Sequence, residues 1–380
     1  MRKAKATASD QSGFTLVELM VGLVIGLLTV LVITQVSAMA EGKKRTTTMG
    51  SDAQVNGALA LFTLQRDIEQ SGYGATDMPS TMGCTVNGQT SANSVTFTLA
   101  PVVITAGGSG VSDGIAVLQG NTSGFSAPIV LTGTHTQTDN HFTVRSSLGA
   151  AVGNMMIAAP TVWDASDTCT LFNVTNSGSS ATTTLGNTNV PHETGNSAAP
   201  WNQADFPSAG YASGSYLLNM GTMVYRQYSI DSSYNLAVSE LSNSTGAMSA
   251  AQPLYPQIVM MKAMYGKDTT SSTVACSPCT VDTYATAMSA TPTTIDWQNV
   301  VTIRVAVVAR SNQYEKDTVT TAAPQWDVGN NYTISGATTT TCNTTSKCIA
   351  LDVSALPDWQ HYRYKVYDTI VPLRNVLWNK

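Results

Sequence analysis

The chain has 380 residues, 43% of them hydrophobic and only 11% charged, with a formal net charge of −5. A charged fraction well below the usual quarter leaves Ser, Thr, Asn and Gln to make the surface polar. It also argues against a nucleic-acid partner, which requires clustered Lys and Arg. The length fits one large domain plus a membrane segment, or two modest domains.

Residues 1–13 read as a short basic leader carrying Arg2, Lys3 and Lys5. From Leu19 to Ala40 no charged residue occurs for 22 positions, enough for a helix to span a bilayer. A secretory signal peptide has a shorter apolar core followed by its cleavage site. Here the order is reversed: Ser12-Gly13-Phe14-Thr15-Leu16-Val17-Glu18 stands ahead of the apolar run. A small residue at Gly13 leaves the backbone open to a protease, and a cut between Gly13 and Phe14 leaves the apolar helix on the product. Glu18 lies inside the apolar stretch, where an ionised carboxylate costs a few kcal/mol. Solvation near the headgroups is one solution for it. A positive partner is the other, the nearest candidate being the new α-amino group of Phe14 on a neighbouring subunit.

These residues carry a resemblance. Gly-Phe-Thr-Leu-Val-Glu followed by about twenty apolar residues is similar to the class III leader of type IV pilins and type II secretion pseudopilins. The resemblance implies a membrane peptidase that cuts after Gly13 and N-methylates Phe14, and apolar helices that bundle into a filament core. It also places the leader in the cytoplasm. The basic residues alone do not fix orientation, because Lys43-Lys44-Arg45 balances the leader across the apolar run. That basic run reads as a membrane-surface anchor.

The expected organisation is a leader at 1–13, a transmembrane helix at 14–41, an amphipathic continuation at 42–74 and a periplasmic β-rich domain at 75–380. No proline precedes Pro79, so the helix can run on past the membrane. Gly42, Thr46-Thr47-Thr48 and Gly50 disfavour helix and predict a bend or melted turn. From Asp52 to Gln70 the spacing predicts a helix with Val55, Ala58, Leu59 and Phe62 on the buried face, widened by Leu61, Leu64 and Ile68. Asn56, Thr63, Asp67 and Gln70 fall on the opposite, polar face. Ser71-Gly72-Tyr73-Gly74 ends it.

Beyond residue 80, short β-branched runs recur between Gly, Ser, Thr and Asn. They include Val95–Leu99, Ile115–Leu118, Ile129–Leu131, Phe142–Val144, Met155–Ala158, Cys169–Val174, Leu217–Tyr228, Val300–Ala309 and Tyr362–Val371. No long amphipathic stretch alternates with them, so βαβ units are not expected. The fold class is α+β: one long N-terminal helix packed on a mainly antiparallel sheet domain. A Ser/Thr/Gly/Asn-rich insert near 176–215 reads as a long loop pinned by Trp201 and Phe206.

The later segments Gln257–Asp268, Asp296–Ser311 and Tyr362–Asn375 resemble those of PilW-type minor pilins, as does Asn56–Phe62 running up to Gly72-Tyr73-Gly74. That resemblance implies a structural subunit, not an enzyme, which primes assembly of a type IV pilus and sits at or near its tip. Its implied partners are other minor pilins, the major pilin, the prepilin peptidase, the inner-membrane assembly platform and a tip adhesin. Two alternatives stand beside it: a minor pseudopilin of a type II secretion system, and a tip-displayed adhesive or ligand-binding module.

Six cysteines, Cys84, Cys169, Cys276, Cys279, Cys342 and Cys348, would lie in an oxidising compartment and are expected as disulfides. Fifteen connectivities are possible, and the local choice is Cys276–Cys279, Cys342–Cys348 and Cys84–Cys169. Cys276-Ser277-Pro278-Cys279 as a redox pair, or zinc held by Cys276, Cys279, Cys342 and Cys348, are the competing readings. His135, His141, His192 and His361 sit outside any catalytic spacing and are expected as satisfied core or surface residues. No cofactor and no metal are expected.

Overall fold

The computed structural model describes residues 13–379 except 123–125, 165–166, 177–183, 196–198, 204–205, 271–272, 277 and 344, and only the backbone at 43 and 45–51. The chain forms two compact units, Met1–Ser51 and Asp52–Lys380. The leader, apart from Gly13, lies outside the described residues.

A single helix runs from Leu16 to Gln70. The melted turn expected at Gly42–Gly50 is absent, and helical backbone continues through it. Each Gly or Thr there costs at most about 1 kcal/mol. No proline removes an N–H, and opening a turn would sacrifice several backbone hydrogen bonds at about 1 kcal/mol each.

The buried face of the second half also differs from the expectation. Ala53, Gly57, Ala60, Leu64, Asp67 and Ile68 are buried, whereas Val55, Leu59 and Phe62 are 53%, 44% and 62% exposed. Ala58 is exposed as well. The buried positions follow a 4-3-4-3 spacing, a narrow seam rather than the broad stripe of large residues. Closeness of approach decides this. A Cβ on Gly57 would stand 2.5 Å from the Tyr367 ring and 3.1 Å from the Ala309 Cβ, so only small residues fit along the first two turns of the seam.

The sheets are mainly antiparallel. The one under the helix seam has the strand order Thr333–Ser335, Thr283–Ala285, Ile258–Lys267, Val300–Arg310, Tyr364–Pro372. Its central strand Val300–Arg310 is covered on both faces. Ile303, Val305, Val307 and Ala309 join the helix residues in one core, while Ala306 and Val308 join Trp326, Val328 and Leu351 in another. That second core lies against a three-stranded sheet, Gln325–Gly329, Ser346–Ala350, Thr340–Cys342. A strand buried on both sides favours apolar residues at successive rather than alternate positions, which is why Val300–Ala309 is apolar except at Thr302 and Arg304. Among the described strands two pairings are parallel: Thr85–Gln89 with Thr168–Asn173, and Thr283–Ala285 with Thr333–Ser335.

A five-stranded sheet has the order Gln252–Pro256, Asn235–Glu240, Val224–Ile230, Gly114–Gln119, Val102–Thr105. A six-stranded sheet follows Ser94–Thr98, Thr85–Gln89, Thr168–Asn173, Met155–Ala159, Tyr216–Gly221, Ile129–Val130. The run Leu217–Tyr228, expected as one strand, is therefore two strands in two different sheets. The chain turns between them at Gly221, whose φ of 58° and whose position (a Cβ would lie 2.5 Å from the Asn121 carbonyl oxygen) both require glycine.

The described part of the insert is folded in. Asn189–Pro191 pairs with His141–Thr143, and Trp201 and Phe206 are buried. The Trp201 indole N–H donates to the Asn243 carbonyl at 2.7 Å.

Three disulfides join Cys84 to Cys169, Cys276 to Cys279 and Cys342 to Cys348. In this form the sulfurs offer no thiolate for zinc. Cys84–Cys169 bridges neighbouring strands across a sequence separation of 85 residues.

Two measurements follow from this packing. Gly57→Val is expected to cost about 2 kcal/mol through overpacking against Tyr367, read as a lower denaturation midpoint of the full chain in micelles. Replacing Cys84 and Cys169 together by Ser is expected to lose about 4 kcal/mol, since the bridge closes the longest loop of the three. The corresponding Cys276/Cys279 double variant, closing a very short loop, should lose clearly less.

Candidate assembly site

In the first unit, Gly13, Phe14 and Thr15 are non-helical and the helix starts at Leu16. Thr15 acts at the helix start: its Oγ1 accepts from the Glu18 N–H at 3.3 Å and its carbonyl from the Leu19 N–H at 3.2 Å. The Gly13–Phe14 peptide bond therefore lies outside the helix. Glu18 falls in the first helical turn, where the exposed N–H groups and helix dipole favour a carboxylate. Its side chain is exposed, and among the described residues its carboxylate has no partner within the chain.

The stretch Leu16–Gly42 is long and apolar enough to cross a membrane, and all of its side chains are exposed within the unit. Both of its threonine hydroxyls bond to carbonyls of the preceding turn, as suits a lipid-facing helix. Thr29 Oγ1 donates to the Ile25 carbonyl at 2.7 Å and Thr34 Oγ1 to the Leu31 carbonyl at 2.9 Å.

In the second unit, three polar clusters hold the elements that carry the family-like segments. Asp67, placed by sequence periodicity on the polar face, is buried instead. Its Oδ2 accepts from Arg226 Nη1 at 2.9 Å and from Tyr228 Oη at 2.5 Å, which fastens the helix to the strand Val224–Ile230. Arg226 also pairs with Glu240 on the next strand. Arg304, nearly buried on the central strand, donates to Asp368 Oδ2 at 2.9 Å, to the Val328 carbonyl at 2.9 Å and to the Asp327 carbonyl at 2.7 Å. It lies 5.4 Å from the Trp326 ring centroid. Arg310 donates to Gln257 Oε1 and is flanked by the rings of Tyr234 and Tyr362. No local signal marks these partners, because they lie from 14 to 161 residues apart along the chain.

The histidines also depart from four isolated residues. His135 and His192 are both buried, with their Nε2 atoms 2.8 Å apart, inside a cluster of Phe142, Phe172, Phe206 and Tyr211. One imidazole donates and the other accepts, so the pair requires at least one neutral ring. Neither Nδ1 has a partner among the described residues. Burial lowers the His135 pKa to about 4. Burial, and then the neighbouring His135, lowers that of His192 to about 3.

Two family matches fall on these two parts of the chain. Residues 8–34 match the prokaryotic N-terminal methylation motif, and residues 226–375 match the family described as PilW, Type IV Pilus-assembly protein W. The chain matches a PilW-type minor pilin. No curated protein and no solved structure matches it. The methylation motif covers Gly13, Phe14, Glu18 and most of the apolar helix. The PilW match begins at Arg226 and covers Arg304, Arg310 and Asp368, so the polar clusters lie largely within it. The two matches relate these segments to type IV pilus proteins, and the apolar helix is long enough to serve as a membrane anchor.

A pH dependence follows from the histidine pair. Both folded-state pKa values lie below the ordinary 6.5, so the unfolded chain takes up protons first on acidification. The stabilisation is complete above about pH 6.5 and is lost as pH falls toward about 4, at up to about 1.4 kcal/mol per pH unit for each histidine. Melting temperature measured from pH 7.5 to 4.5 should fall below pH 6.5. The slope should be shallower in His192→Gln, which titrates no proton at that position.

Proposed function

We propose that this protein is a minor pilin that helps prime assembly of a type IV pilus and sits at or near its tip, with the Asp52–Lys380 unit in the periplasm before assembly. The role is structural rather than catalytic. The observation that carries the reading is the pairing of a prepilin-type N-terminus with a PilW-type assembly domain in one chain. The match to a pilus-assembly family favours the pilus over a type II secretion system.

The chemistry of assembly starts with maturation. Cleavage between Gly13 and Phe14 creates an α-amino group, which the prepilin peptidase then N-methylates, ahead of the uncharged run Leu19–Ala40. Glu18 of a neighbouring subunit can pair with it, offsetting a buried carboxylate that would otherwise cost a few kcal/mol. The pair sets the axial register. Farther along the helix, the exposed Val55, Leu59 and Phe62 leave an apolar strip for contact with neighbouring minor or major pilins. The membrane assembly platform and a tip adhesin complete the set of proposed partners.

Glu18→Ala in the full chain should leave the sheet domain folded, with its disulfides and melting temperature unchanged. Pili should be lost or strongly reduced on cells carrying it. Wild-type piliation in that strain would remove the register role. A deletion strain that twitches normally but fails to secrete exoproteins would move the protein to the secretion system.

A further inference from the structure

A cleft of about 410 Å³ opens between the loop at 106–113, the strand Ile258–Lys267 and the three-stranded sheet. That volume is within the usual range of small-ligand sites. The loop is held rigidly. The Asp113 carboxylate accepts from the Gly107 N–H, the Ala263 N–H and Lys262 Nζ, each at 2.9 Å, and its own N–H donates to the Met261 carbonyl at 2.8 Å. Lys262 Nζ also donates to the Gly108 carbonyl at 2.7 Å. Gly108 and Gly110 have φ of 73° and 71°, so this turn is drawn for glycine, and a Cβ on Gly108 would meet nothing within 4 Å. Across from the loop stands Asp352, whose Oδ2 lies 3.5 Å from where a Gly110 Cβ would be. Its other oxygen accepts from the Ser354 N–H at 2.9 Å, which orients the carboxylate.

The remaining lining divides by chemistry. Ala106, Ala337 and Ile349 supply apolar surface above the buried Trp326 and Met264, and Ser109, Thr338 and Thr340 supply hydroxyls. Lys262 and Asp113 neutralise each other, which leaves one uncompensated carboxylate, Asp352. An anionic ligand would meet two carboxylates and one ammonium already engaged. A metal ion would find a single free carboxylate, too few ligands for either calcium or magnesium. A neutral polyhydroxylated ligand matches every part. Its hydroxyls donate to Asp352 and exchange hydrogen bonds with the Ser and Thr hydroxyls and the third Lys262 proton, and its C–H faces lie on the apolar lining.

We infer that this cleft is a binding site for a neutral saccharide unit. The site is independent of Phe14 and Glu18, so it stands or falls separately from the assembly role.

The test uses the mature full-length protein in a detergent without a sugar headgroup, first on a glycan array and then by calorimetry with the strongest neutral glycan found. Wild type should bind with sub-millimolar affinity. Asp352→Asn keeps the acceptor for Ser354 but loses the charge, and should weaken binding at least tenfold. Ala350→Trp, at an exposed position lining the cleft, should abolish it by filling the space. Both variants should keep the wild-type melting temperature and normal piliation. The inference is overturned by a wild type that binds no neutral glycan, or by binding that neither variant weakens. A cleft that instead captures Lys- or Arg-containing peptides through Asp352 would also overturn it, by assigning the site to a basic protein partner. Loss of pili in the Glu18 variant with glycan binding intact would leave the inference standing.

Discussion

The distance between the long helix and the sheet beneath its second half is the constraint on which the rest of the domain depends. At Gly57 no side chain fits above Tyr367. Small residues at 53, 57 and 60 bring the helix backbone onto the strands, and only farther along does the seam widen to admit Leu64 and Ile68. That approach brings Asp67 within reach of Arg226 and Tyr228. A carboxylate taken out of water at such a point is tolerable only when well partnered, so the close packing and the ion pair depend on each other. The large apolar residues that the seam cannot accommodate are displaced to the outside. The same packing rule thus produces both the buried core and the exposed strip formed by Val55, Leu59 and Phe62.

The central strand Val300–Arg310 extends this arrangement to the other face of the sheet. Its odd-numbered residues from 303 to 309 meet the helix, and its even-numbered ones meet the three-stranded sheet. Arg304 can be nearly buried there because two main-chain carbonyls, Asp368 and two aromatic rings surround the guanidinium. Arginine suits such a site better than lysine, since its planar fork satisfies several acceptors at once and stacks on rings. The C-terminal strand carries both Tyr367, which limits the helix, and Asp368, which receives Arg304. Adjacent residues of one strand therefore govern the packing on its two faces.

What the sequence disclosed follows from how local each signal is. Gly13, Phe14, Glu18 and the uncharged run to Ala40 are contiguous and could be read directly. The β-branched runs marked most strands, and the nearest-neighbour choice of cysteine partners coincides with the pairs in the structure. The readings that failed all required distance information. Val55, Leu59 and Phe62 look like a core face until the proximity of Tyr367 excludes them. Asp67 looks like a surface residue until Arg226 arrives from 159 residues away. Leu217–Tyr228 reads as one strand because periodicity alone does not show that the chain changes sheets at Gly221. Gly42 and the three threonines have low helix propensity, but the bend they predict does not form. Their combined penalty is smaller than the cost of opening the hydrogen-bonded backbone.

The Cys84–Cys169 bridge has a mechanical consequence. Tension that enters a subunit through its N-terminal helix and leaves through its C-terminal strand reaches the bridge before the 85-residue segment it spans. The covalent link bypasses that segment, so the strands inside the loop carry no load even if the sheets around them open. Fully stretched, the loop would add about 300 Å of length at roughly 3.5 Å per residue. Oxidation of that one cysteine pair therefore withholds this length from the chain under a pulling force, an effect distinct from how stably it is folded at rest.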